Sequence, residues 1–112
     1  MKWYLGIDIS KGYADFVLLS DQLIQVDQTF QLDDTRQGHE HLASWLATLY
    51  KRHPDLHVDC AVESTGGFED NWYALLLKLS STLSMRVARL NPSVVKNASK
   101  AMLNANKTDA ES

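Results

Sequence analysis

The sequence predicts an α/β domain built on a mixed five-stranded sheet, with elements in the order β-β-β-α-β-α-β-α and helices on both faces. Three observations carry this prediction. Short turns separate the first three apolar stretches, so those strands run antiparallel as a meander. Beyond them, strand-like stretches alternate with stretches of helical apolar spacing, the signature of βαβ units. The first strand is nearly all apolar, as befits a central strand covered on both sides.

That first strand is Trp3-Tyr4-Leu5-Gly6-Ile7-Asp8-Ile9. Trp3, Leu5, Ile7 and Ile9 fall on one face by alternation, and Asp8 falls on the other beside Gly6. A carboxylate there either binds a cation or caps the turn into Gly12, and this stretch alone leaves the two even. Residues 13–19 read as the second strand and residues 23–32, with Ile24, Val26 and Phe30, as the third. Asp33-Asp34-Thr35 supplies N-cap chemistry for a helix over 36–53, in which Leu42, Trp45, Leu46, Leu49 and Tyr50 recur at helical spacing. Pro54 stops it.

The fourth strand, 58–63, carries Val58, Cys60 and Val62 on one face and ends at Glu63 on the other. Ser64-Thr65-Gly66-Gly67 is a turn whose glycines permit close backbone approach. Phe68, Trp72, Leu75, Leu76, Leu79 and Leu83 mark a helix over 68–82, and the stripe Trp72, Leu75, Leu76, Leu79 reads as core rather than as a partner groove. A short strand over 85–90 leads to Asn91-Pro92, an N-cap and first-turn pair for a helix to about residue 103 with Val95, Ala98 and Met102 inward. The expected division is therefore a domain over 1–103 followed by a tail over 104–112.

The 112 residues make one domain with an ordinary hydrophobic share of 45%. A lone cysteine, Cys60, excludes an internal disulfide and suits a reducing compartment. No signal-peptide pattern opens the chain and no apolar run nears the ~20 residues of a membrane helix. The expectation is a cytoplasmic protein without a membrane partner. The formal charge of −3 conceals an asymmetry. Residues 1–70 hold five Lys/Arg against twelve Asp/Glu, whereas residues 71–112 hold six against two. Lys78, Arg86, Arg89, Lys96, Lys100 and Lys107 are accordingly candidates for nucleic-acid contact, with solvated helix-face charges as the alternative.

In a sheet of this order, ligands gather at the carboxyl ends of the strands, where Asp8 and Glu63 lie on strands expected to be neighbours. Two adjacent carboxylates repel unless a cation lies between them. Oxygen donors without Cys or His suit Mg²⁺ or Mn²⁺, in a site able to carry phosphodiester chemistry. Asp109 is the candidate third acid. His39 and His41 at i, i+2, and His53 and His57 around Pro54, lack the spacing of ligand pairs.

These residues carry a resemblance. Gly6-Ile7-Asp8-Ile9-Ser10-Lys11, Val62-Glu63-Ser64-Thr65-Gly66-Gly67-Phe68, Asn91-Pro92-Ser93-Val94-Val95-Lys96 and Asn106-Lys107-Thr108-Asp109-Ala110 resemble the four signature blocks of the DEDD transposases, the insertion sequence 110 family, which includes the pilin-gene-inverting recombinase. The resemblance spans essentially the whole chain. It implies a ribonuclease H-like, RuvC-like catalytic domain forming the N-terminal part of a longer recombinase, with Asp8, Glu63 and Asp109 as catalytic metal-binding acids. It further implies DNA as substrate, a structured guide RNA as partner, and a homo-oligomer when full length. The family pattern has a fourth acid three residues after the third, and Ser112 stands there instead. Glu111 does not replace it, since i and i+2 do not share a helix face. The family's second domain, which supplies a catalytic serine, is not among these residues. This chain alone is thus expected to be inactive in strand exchange. Two alternatives are a catalytically inactive nucleic-acid-binding or assembly module of the same fold and an actin-like ATP-binding fragment, which would need a second nucleotide-binding half.

Overall fold

The computed structural model describes residues 1–90; the expected helix after Pro92 and the tail over 104–112 lie outside the described residues. The elements are β1 (Lys2–Ser10), β2 (Tyr13–Leu19), β3 (Phe30–Asp33), α1 (Arg36–Arg52), β4 (His57–Glu63), α2 (Asp70–Leu79) and β5 (Met85–Leu90). They form one sheet in the order β3-β2-β1-β4-β5. β1 pairs antiparallel with β2 and parallel with β4, β2 pairs antiparallel with β3, and β4 pairs parallel with β5. The mixed five-stranded sheet and the antiparallel meander are as the sequence predicts.

Alternation along β1 buries Trp3, Leu5, Ile7 and Ile9 against the helices, together with Phe16 and Leu18 of β2 and Val58, Cys60 and Val62 of β4. Leu42 and Leu46 of α1 and Trp72 and Leu76 of α2 close that layer from the other side. The Trp72 indole meets the Phe16 ring edge-on at 5.3 Å between centroids. The crossovers β3-α1-β4 and β4-α2-β5 travel in the same direction across the sheet. Crossovers of one hand then place both helices on one face. The described residues thus place helices on one face, and the expected helix after Pro92 lies outside them.

Three boundaries differ from expectation, one being the end of the second helix, which closes at Leu79 and not at about residue 82. The third strand holds only Phe30–Asp33, and residues 23–29 contribute a single bridge, Leu19 to Gln25. Leu23 adopts φ 62°, and the Ser20 hydroxyl accepts the Gln22 and Ile24 amides, so a tight turn occupies the start of the expected strand. Ile24 and Val26 consequently remain exposed. The second helix begins at Asp70 rather than near Phe68, because Gly66 and Gly67 take φ 78° and 132° and hold the chain off the helical path. Phe68 is half exposed and does not join the core stripe.

Candidate active site

The β1–β2 turn sets the register of the strand ends. Ser10 pairs with Tyr13 around Lys11-Gly12, and Gly12 takes φ 86°, which a glycine adopts without steric cost. Counting back along the ladder places Asp8 directly opposite Asp15. On the other side of β1, Ile7 pairs with Val62, so the next residues along, Asp8 and Glu63, neighbour each other on the face away from the helices. Both stand at the carboxyl ends of parallel central strands, as the sequence predicts. Asp8 is exposed, whereas Glu63 retains only 2% of its accessible surface. Asp109 lies outside the described residues. Among those described, no group of three or more His, Cys, Asp or Glu side chains is assembled to hold a metal ion. The Asp8/Glu63 pair offers oxygen donors alone, a donor set that fits Mg²⁺ or Mn²⁺ and not zinc.

Asp15 is a site-end carboxylate that sequence reasoning passed over. Its Oδ1 accepts a hydrogen bond from Gln31 Nε2 at 3.0 Å. The signal was present: a two-residue turn fixes which residues face each other, and Asp8 and Asp15 are equidistant from it.

A second carboxylate passed over is Glu69. It is buried at the junction of the Ser64–Gly67 turn with α2, and its side chain does not cap the helix. Glu69 Oε1 instead accepts from the Thr65 amide, the Thr65 hydroxyl and the Gly67 amide, each at 3.0 Å. Glu69 Oε2 pairs with Arg89 Nε at 3.3 Å. Burial pushes the Glu69 carboxyl up, but its own, Thr65 and Gly67 amides and the Thr65 hydroxyl outweigh it and hold the group down at about 2.

The described basic candidates are dispersed. Lys78 is exposed in the last turn of α2. Arg86 lies 3.5 Å from Asp59, which also holds Lys2 at 3.1 Å. Burial raises the Asp59 carboxyl, and the Lys2 and His57 hydrogen bonds with the Lys2 and Arg86 charges outweigh it, leaving it lowered. Arg89 reaches both Glu69 and Asp70, and its guanidinium lies 4.2 Å from the Tyr73 ring centroid. Lys96, Lys100 and Lys107 lie outside the described residues. Three of the four histidines make structural contacts: His39 meets Asp34 at 2.7 Å, His53 packs edge-on to Trp3, and His57 bridges Asp59 and Ser84. No helix among the described residues is long and apolar enough to cross a membrane.

Comparison with known proteins agrees with this geometry. The RuvC of T. thermophilus, solved in complex with a Holliday junction substrate, superposes with a TM-score of 0.57 at 12% identity, covering 88% of this chain and 70% of that one. The fowlpox virus Holliday junction resolvase superposes with a TM-score of 0.55 at 12% identity, covering 96% of this chain and 76% of that one. At that identity the likeness establishes the RuvC-like, ribonuclease H-like fold. No curated protein matches the sequence. A family model described as a transposase, that of the DEDD enzymes of the insertion sequence 110 type, matches residues 5–111, and the chain belongs to that family.

Proposed function

We propose that the chain is the metal-dependent catalytic domain of a DNA transposase or site-specific recombinase, cleaving and transferring phosphodiester strands. The observation that carries this reading is the juxtaposition of Asp8 and Glu63 at the carboxyl ends of the two central parallel strands. In it, Asp8, Glu63 and Asp109 hold Mg²⁺ or Mn²⁺, which when bound supplies activation of the attacking oxygen and stabilisation of the leaving oxygen. Asp8 presents an exposed carboxylate to the solvent side, and Glu63 presents a buried one fixed at the end of its strand. The holders are thereby preorganised at their β1 and β4 ends by the ladder itself.

The DNA-bound state of the T. thermophilus RuvC supports DNA as the substrate class. Lys78, Arg86, Arg89, Lys96, Lys100 and Lys107 are proposed to contribute phosphate contacts. A guide RNA, a homo-oligomer when full length and a cytoplasmic setting belong to the same proposal, and membership of the transposase family supports them. Ser112 in place of an acid favours a second reading, in which this chain binds nucleic acid or assembles without cleaving. Titration with Mn²⁺ while following amide-signal broadening by NMR tests the metal site: broadening centred on Asp8, Glu63 and Asp109 is expected, and broadening that spares all three overturns it. Metal-dependent strand cleavage by the 112-residue chain, abolished in Asp8→Asn, would overturn the second reading.

A further inference from the structure

We infer that Glu69 is a positioning residue, which acts through the Ser64–Gly67 turn to hold Glu63 in place for a divalent cation; the inference rests on the metal reading of Asp8 and Glu63. Glu63 is the last residue of β4, so the ladder to Leu90 holds its backbone from one side and the chain that follows holds it from the other. That chain leaves the ladder after one further bond, from the Ser64 amide to the Leu90 carbonyl at 2.7 Å. The Thr65 and Gly67 amides then point at a side chain, not at backbone, and the side chain is Glu69. Gly66 and Gly67 both sit at positive φ, so the turn has little stiffness of its own without that acceptor.

Glu69 also ties the turn to the far edge of the sheet. Its second oxygen holds Arg89, whose other nitrogen reaches Asp70 at 3.3 Å and whose plane lies over Tyr73. Arg89 belongs to β5, and Glu63 pairs with Leu90 of the same strand. One buried carboxylate thus joins the end of β4, the start of α2 and the end of β5. It acts on Glu63 through the backbone of the turn, one step further out than a partner hydrogen-bonded to a ligand, whose loss costs about 10–100-fold in metal affinity.

The experiment uses the full 112-residue chain and Mn²⁺ as probe. In Glu69→Ala, the Thr65 and Gly67 amides should lose hydrogen-exchange protection while the β1–β4 ladder keeps its own. Mn²⁺ affinity, read from broadening at Asp8 and Glu63, should fall about 10-fold, the low end of the loss for a directly bonded partner. Glu69→Gln keeps an acceptor oxygen and should recover part of that loss; it also carries the test if the alanine variant fails to fold. Leu49→Ala, a destabilised control on α1 away from the turn, should bind Mn²⁺ as the unsubstituted chain does. A loss in Leu49→Ala equal to that in Glu69→Ala would show a purely structural effect and overturn the inference. Unchanged Mn²⁺ affinity in Glu69→Ala, or in Glu69→Gln where only that variant folds, overturns it as well. Absence of Mn²⁺ binding before any substitution overturns the metal reading itself and the positioning role with it.

Discussion

Replacing Asp8 by Asn separates the electrostatics of the strand ends from their packing, since the side chain is exposed and the change nearly isosteric. Asp15 stands directly opposite Asp8, and Glu63 lies beside it on β4. Directly opposed side chains start about 5 Å apart at Cβ, and like charges so placed destabilise a ladder. At a separation of ~6 Å, two unit charges repel by about 0.7 kcal/mol in water and about 1.4 kcal/mol at half that dielectric constant. With one such neighbour on each side and the Asp8 side chain in water, Asp8→Asn should raise metal-free stability by about 1.4 kcal/mol. For a domain of this size that is a rise in Tm of about 6 °C. Thermal unfolding in EDTA at low salt measures it, and the gain should shrink in 1 M NaCl, where the Debye length is about 3 Å. Saturating Mn²⁺ should reverse the order. Metal at 100 times its Kd stabilises the unsubstituted protein by about 2.7 kcal/mol, and the Asn variant should lack most of that. A lower Tm for Asp8→Asn in EDTA, or equal responses to Mn²⁺, would refute the reasoning and return Asp8 to the role of a turn cap.

Other perturbations follow from the same geometry. Gly38→Ala should destabilise by about 1–2 kcal/mol despite alanine's better helix propensity, because the new Cβ would collide with the Asp33 carbonyl oxygen; urea unfolding checks it, and a stabilised variant would contradict the packing of α1 on β3. The folded-state value of Glu69, about 2, lies below its ordinary 4.5, so its stabilisation is complete above about 4.5 and disappears as pH falls towards about 2. The stability gap between the unsubstituted chain and Glu69→Gln should therefore be constant from neutral pH to about 5 and close between those two values. Burial pushes the Cys60 thiol up to about 12, so iodoacetamide at pH 8 should label it only as the protein unfolds.

Much of this fold was legible because burial on one side imposes a strict period. Trp3, Leu5, Ile7 and Ile9 could occupy one face only as a strand, and all four are core. β5 begins and ends where its apolar pattern and the following Asn91-Pro92 place it. The apolar residues Leu23, Ile24 and Val26 misled because apolar character alone does not provide a pairing edge. The turn built on Ser20 uses Leu23 and Ile24, and Val26 returns its amide to the Leu18 carbonyl, before the chain reaches Phe30, where strand pairing with Phe16 resumes. Glu69 was illegible for a related reason. As a charge at a helix start it has an ordinary local explanation. Its actual partners depend on a glycine turn folding back and on an arginine 20 residues further along.

The charge asymmetry of the sequence shows how far a linear count carries into three dimensions. Residues 71–108 contain no acid, which reads as one basic face. Yet Arg86 and Arg89 are three apart in a strand, and an odd separation sends two side chains to opposite faces. Arg86 accordingly joins Lys2 at Asp59 on the face away from the helices, whereas Arg89 turns to Glu69, Asp70 and Tyr73 on the helical side. The parity was readable from residue numbers; the acids that receive each arginine come from residues 1–70 and needed the register to find. A phosphate contact at Arg89 would compete with Glu69 for the same guanidinium, so nucleic-acid binding there would pull on the turn that follows Glu63. Salt dependence separates the described candidates on this basis. Removing a phosphate-contacting Lys78 should reduce the log-log salt slope on duplex DNA by about 0.9. Removing Arg89 should instead expose the Thr65 and Gly67 amides to exchange in the absence of DNA. If Arg89→Ala changed only the salt slope and left those amides protected, the arginine would belong to the DNA surface and not to the turn.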